Sequence, residues 1–186
     1  MTRNILLIVL EKLMKLAHRS KIKIVLMGGI AISLFAKPRA TYDIDGMVSS
    51  KEENLKDFLS LLKESGFKFD SKQPIKFIKG LPFITFYYPR YKTYVDLFVA
   101  QNKFQNEVLK RAKEVKLGKL HLSIISPEDL ILLKLQTGRE KDLEDIREII
   151  LEKRKNLDFV YLKKWAKALG VDVFLKDELR SSGLQK

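Results

Sequence analysis

Hydrophobic positions along this chain change their period several times, and each change marks an element. Leu6, Leu10, Leu13 and Ala17 recur at helical spacing and predict an amphipathic first helix. "KIKIVLMG" then reads as a buried strand rich in β-branched residues, ended by Gly28 and Gly29. "IAISLFAK" predicts a short helix stopped by Pro38, and "ATYDIDGMV" a second strand. "SKEENLKDFLSLLKESG" is an amphipathic helix, with Ser49 or Ser50 at its N-cap and Gly66 just past its end. "IKFIKG", "PFITFYYP" and "TYVDLFVA" predict an antiparallel meander that continues the sheet. "KFQNEVLKRAKEV" reads as helix and "KLHLSII" as a short strand.

From Ser126 the pattern turns wholly helical. Ser126 is placed to cap a helix whose first position is Pro127, and Glu128 and Asp129 sit at its positive end. "REKDLEDIREIILEKRKN" and "DFVYLKKWAKALG" predict further amphipathic helices, while "SSGLQK" is expected to fray. The expected architecture is α+β (α/β). A core over residues 1–122 has a mixed or antiparallel sheet flanked by helices, and a helical part over 123–186 packs on it.

Composition narrows the class. The chain has 186 residues, 46% hydrophobic and 32% charged, which suits one soluble domain, or one domain with a small appendage. With no cysteine there is no disulfide, thiolate metal site or cysteine nucleophile. The apolar run Ile5 to Leu10 is too short to span a membrane, so a cytoplasmic protein without a membrane partner is expected. The formal net charge of +13 changes the picture more. It suits a polyanionic partner such as RNA, DNA or a nucleotide, the alternative being a lysine-rich solubilising surface.

Chemistry concentrates in three aspartates. Asp43 and Asp45 flank Ile44 in strand-like surroundings, and Asp96 interrupts another apolar strand. Residues i and i+2 of a strand share a face, about 6.6 Å apart. Two like charges there repel, and magnesium relieves the repulsion because hard cations take carboxylate oxygens and keep waters for a phosphate to displace. Three converging carboxylates are enough for two ions about 3.5–4 Å apart, as in-line nucleotidyl transfer uses. Asp96 could also accept the proton of an attacking hydroxyl. The alternatives are a turn at "DIDG" and a strand-end role for Asp96. Gly28 and Gly29, between a strand and a helix, would let backbone N–H groups approach a phosphate. They match neither the P-loop nor the dinucleotide-binding glycine pattern.

Met27-Gly28-Gly29, thirteen further residues and Asp43-Ile44-Asp45, with Asp96 downstream, resemble the nucleotidyltransferase superfamily related to DNA polymerase beta. The run Arg39, Thr41, Asp43, Asp45 and the segment "ISPEDLILLKLQTGREKDLEDI" resemble its small prokaryotic, AbiEii-like branch of abortive-infection toxins. That resemblance spans residues 22 to 150. It implies a nucleotidyltransferase fold and transfer of NMP from an NTP to an acceptor hydroxyl on RNA or tRNA, a protein or a small molecule. By the same resemblance Asp43, Asp45 and Asp96 are the catalytic and magnesium-binding residues, with two ions. Gly28, Gly29, Arg39, Thr41 and Lys134 face or balance the nucleotide phosphates. An antitoxin partner belongs to the same implication, and an inactive nucleotide- or RNA-binding module of the same fold is the alternative. Asp142 and Asp145, one helical turn apart, read better as partners of Lys134, Lys141 or Arg139 than as catalytic groups. Phe83, Phe86, Tyr87, Tyr88 and Tyr91 can stack bases, though clustered strand aromatics more often serve packing. His18 and His121 lack zinc-ligand spacing.

Overall fold

The computed structural model describes residues 5–38, 40–49, 52–69, 74–78 and 81–184. In chain order the elements are α1 (Ile5–Arg19), β1 (Ile24–Leu26), α2 (Gly28–Phe35), β2 (Ile44–Val48), α3 (Glu52–Glu64), β3 (Lys68–Phe69), β4 (Ile75–Ile78), β5 (Leu81–Tyr88) and β6 (Thr93–Val99). There follow α4 (Lys103–Arg111), β7 (Lys113–Leu117), β8 (Leu120–Ile124), α5 (Pro127–Thr137), α6 (Glu140–Lys153), α7 (Phe159–Ala168) and α8 (Asp172–Ser181). The class is α+β. Residues 1–30 with 40–124 form one compact unit, and residues 31–39 with 125–186 form a second.

All eight strands lie in the first unit, in one mixed sheet of order β3-β5-β6-β2-β1-β8-β7, with β4 also paired to β5. β2 runs parallel to β6 and antiparallel to β1, and β1 runs parallel to β8. β4, β5 and β6 make the antiparallel meander that their alternation predicts. In β6, Thr93, Val95, Leu97 and Val99 are buried, whereas Tyr94, Asp96 and Phe98 on the other face are exposed or half-buried. Ile84 and Phe86 of β5 and Ile44 and Val48 of β2 are buried likewise. Val9, Leu10, Leu13 and Leu16 of α1 and Leu55, Phe58 and Leu62 of α3 supply the helical share of this core. The second unit has its own core, built from Ile131, Leu135, Ile146, Ile149, Ile150 and Leu162.

Several boundaries differ from the sequence expectations. The helix predicted over 103–115 ends at Arg111, because Ala112 turns extended and Lys113–Leu117 forms a hairpin with β8. Four of that edge strand's five side chains are exposed, three of them charged, so hydrophobic periodicity gives it no signal. The strand predicted from Ala40 starts only at Ile44. α2 begins at Gly28, so the glycine pair forms the first helical residues instead of a loop ahead of them. α8, over Asp172–Ser181, was not anticipated; its N-cap position is Val171, which offers no side-chain cap. No helix among the described residues is long and apolar enough to cross a membrane.

Candidate functional site

The parallel pairing of β2 with β6 places Asp45 directly opposite Asp96. Neighbouring strands lie about 4.8 Å apart, so two carboxylates share one rung of the sheet on its less buried face. Thr85 of β5 occupies the next place on the same rung. Its hydroxyl donates to one carboxylate oxygen of Asp96 at 2.5 Å, which fixes the carboxylate's rotation. Thr85 carried no sequence motif. Its only signal was alternation in "PFITFYY", a polar residue on the open side of an apolar strand.

The glycines meet this rung from the side. The Met27 N–H donates to the Asp45 carbonyl at 2.9 Å and carries the β1–β2 pairing to the edge of α2. Gly28 has φ +58, a left-handed conformation that glycine adopts without strain. A Cβ on Gly28 would stand 1.9 Å from an Asp45 carboxylate oxygen, so the carboxylate occupies the space that any side chain would need. A Cβ on Gly29 would stand 2.4 Å from the Thr41 hydroxyl, which in turn donates to the Asp43 carbonyl at 3.3 Å. Thr41 thus joins the glycine turn to the segment leading into β2. Gly46 is needed for packing, since its Cβ would approach Ile24 and Leu97 to 2.9 Å.

Asp43 lies at a bend one residue before β2 and is exposed, so the two aspartates do not both stand within a strand as the sequence suggested. Among the described residues no three His, Cys, Asp or Glu side chains gather so as to hold a metal by themselves. Arg39 lies outside the described residues.

Lys134 belongs to the second unit, and its ammonium donates to Asp142 and Asp145 at 2.6 Å each. Thr137 donates to the other Asp142 oxygen at 2.5 Å and Arg139 to the same atom at 2.8 Å. Burial would raise the Asp142 carboxyl. Hydrogen bonds from Lys134, Thr137 and Arg139, with the Lys134 charge, outweigh it and bring the carboxyl from 3.8 to about 2. These partners include two that the sequence offered for Asp142 and Asp145, and they clamp α5 to α6.

A family model described as a nucleotidyltransferase of unknown function, DUF6036, matches residues 4–178. The chain belongs to this family. No curated protein matches it in sequence. Among solved structures, ANT(2″)-Ia in complex with adenylyl-2″-tobramycin has a TM-score of 0.60 at 13% identity, over 90% of this chain and 98% of its own. An antigenic nucleotidyltransferase-like protein from Paracoccidioides brasiliensis has a TM-score of 0.54 at 23% identity, over 94% and 89%. The lincosamide antibiotic adenylyltransferase LnuA, lincomycin-bound, has 0.53 at 18% identity, over 75% and 93%. At these identities the three share the family's fold with this chain. The family description names nucleotidyltransferases, not the abortive-infection branch that the arginine–threonine run suggested.

Proposed function

We propose that the protein is a magnesium-dependent nucleotidyltransferase that moves a nucleoside monophosphate from an NTP to an acceptor hydroxyl and releases pyrophosphate. The observation that carries the reading is the Asp45–Asp96 rung, with Gly28 held bare beneath the Asp45 carboxylate. The glycines let paired carboxylates stand against the start of α2, and a helix start is favourable for phosphate. Family membership supports the reaction class.

The donor set fits magnesium. This ion takes one or two carboxylates and completes its octahedron with waters and substrate phosphates, so a three-carboxylate cage is not required. Asp45 and Asp96 would hold it, with Asp43 joining from the exposed bend; two ions suit that set. When bound, magnesium neutralises triphosphate charge and favours in-line displacement.

The chain's own groups do the rest. Gly28 and Gly29, having no side chains, let the Asp45 carboxylate and the Thr41 hydroxyl close against the start of α2, where the helix N-terminus would favour the phosphates. Thr85 holds one oxygen of Asp96, which leaves the other to accept a proton from the acceptor hydroxyl. Thr41 fixes the Asp43 segment against Gly29. Lys134 and Arg39 remain proposals for phosphate charge balance and rest on the sequence resemblance alone. A role as a toxin restrained by an antitoxin belongs to the same proposal and rests on the sequence resemblance alone.

The test is incubation with each α-labelled NTP, magnesium, and total RNA or lysate protein. Label is expected to move to an acceptor, and Asp43→Ala or Asp45→Ala to abolish the transfer. Absence of transfer together with absence of magnesium-dependent NTP binding would overturn the reading.

A further inference from the structure

The carboxylate rung does not stand alone on its face of the sheet. One rung away on one side, Phe83 of β5 is opposite Phe98 of β6, ring centroids 6.2 Å apart and 29° from parallel. One rung away on the other side, Tyr87 is opposite Tyr94, centroids 5.4 Å apart at 32°. Both aromatic rungs continue outward to a lysine: Lys76 of β4 opposite Phe83, and Lys68 of β3 opposite Tyr87. Register partners project to one face. The face is therefore three parallel rungs, with Lys76, Phe83 and Phe98, then Thr85, Asp96 and Asp45, then Lys68, Tyr87 and Tyr94.

Tyr94 is 44% exposed, and Lys68 is exposed. Phe83, Tyr87 and Phe98 are half-buried, so none of the four rings is in the core. Among the described residues of these strands and the turn between β5 and β6, the charged side chains are Lys68, Lys76, Arg90 and Lys92, with Asp96 the one acid. Ring faces in a basic frame suit one chemistry, unstacked bases on a phosphate backbone. The carboxylates fix the orientation. With Asp45 and Asp96 given to magnesium and the NTP phosphates, a strand laid here keeps its own backbone toward Lys68 and Lys76 at the outer ends of the aromatic rungs and its bases over the rings. Its terminal hydroxyl then lies toward Asp96.

We infer that this face is the acceptor site and that it takes the 3′ end of a single-stranded RNA. The inference rests on the reading of Asp45 and Asp96 as the site of chemistry, and it names the acceptor class for that site. A duplex presents no free base faces. Ring stacking serves single-stranded RNA and DNA alike, and RNA is favoured here because the phenol hydroxyls of Tyr87 and Tyr94 are suited to a 2′-hydroxyl, the group that tells the two apart.

The test is fluorescence anisotropy with a labelled oligoribonucleotide of about twelve nucleotides, a size within the range of such grooves. The single strand is expected to bind more weakly as salt rises. Tyr94→Leu should weaken binding about tenfold, within the usual effect of one lost stack, and Tyr94→Phe should keep the stack while narrowing the preference for RNA over DNA. Lys68→Ala, at an exposed position, should reduce both affinity and salt slope. The same sequence as a duplex, or as DNA, should bind less tightly. Unchanged affinity in Tyr94→Leu and Lys68→Ala overturns the assignment, as does equal binding of duplex or of DNA. Magnesium-dependent ATP binding, measured in parallel without RNA, separates the two readings. ATP binding without RNA binding removes this surface and leaves nucleotidyl transfer standing. Tyrosine-dependent RNA binding without ATP binding does the reverse.

Discussion

At the scale of single residues, the site depends on what is absent as much as on what is present. Gly28 has no side chain because the Asp45 carboxylate fills that space, and its φ of +58 would strain any other residue by about 1 kcal/mol or more. The aspartates and glycines were legible in the sequence, since acids in apolar strands and paired glycines before a helix are both conspicuous. Thr85 was not, because one threonine in a strand has no signature until the register sets it beside Asp96. A hydrogen bond to a charged group contributes about 1.5–3 kcal/mol, so orientation of Asp96 is expected to matter for rate. Thr85→Val should lower kcat about tenfold with the KM for NTP little changed, and Thr85→Ser should restore most of it. Steady-state pyrophosphate release, with melting curves to confirm equal folding, checks this.

At the scale of elements, caps and charges explain which boundaries could be read. Ser126, Pro127 and Gly138 bracket α5 as their types suggest: the Ser126 hydroxyl accepts from the Asp129 N–H and Gly138 turns left-handed. α8 has no comparable signal, and β7 is an edge strand whose charges hide its period. The α5–α6 clamp adds a pH dependence. Asp142 has a folded carboxyl at about 2 against an ordinary 3.8, so it binds protons less readily when folded. Its contribution is fully present above pH 3.8 and is lost as pH falls toward 2. Denaturant unfolding should show little change from this group between pH 7 and 5 and a decline below 3.8. Asp142→Asn should be less stable at pH 7 and show a smaller decline over that interval.

At the scale of the whole molecule, an α+β fold with an all-helical C-terminal stretch followed from hydrophobic period and length, and the strand order did not. β2 lies between β1 and β6, and β8 returns beside β1, so the sheet is assembled from pairings distant in sequence. No local pattern encodes such pairings, and that order alone sets Asp45 against Asp96. The excess of 36 basic over 23 acidic residues was legible as a count, but only the register shows lysines bordering the rings on the carboxylate face. The central claim is that the Asp45–Asp96 rung binds a nucleotide through magnesium. Calorimetric titration of an NTP with and without magnesium tests it most directly, on the unaltered protein and on Asp45→Asn and Asp96→Asn. Binding is expected only with magnesium, weakened about tenfold or more by either substitution, equivalent to about 1.4 kcal/mol or more. Binding of equal strength without magnesium, or unchanged in both variants, would contradict the account.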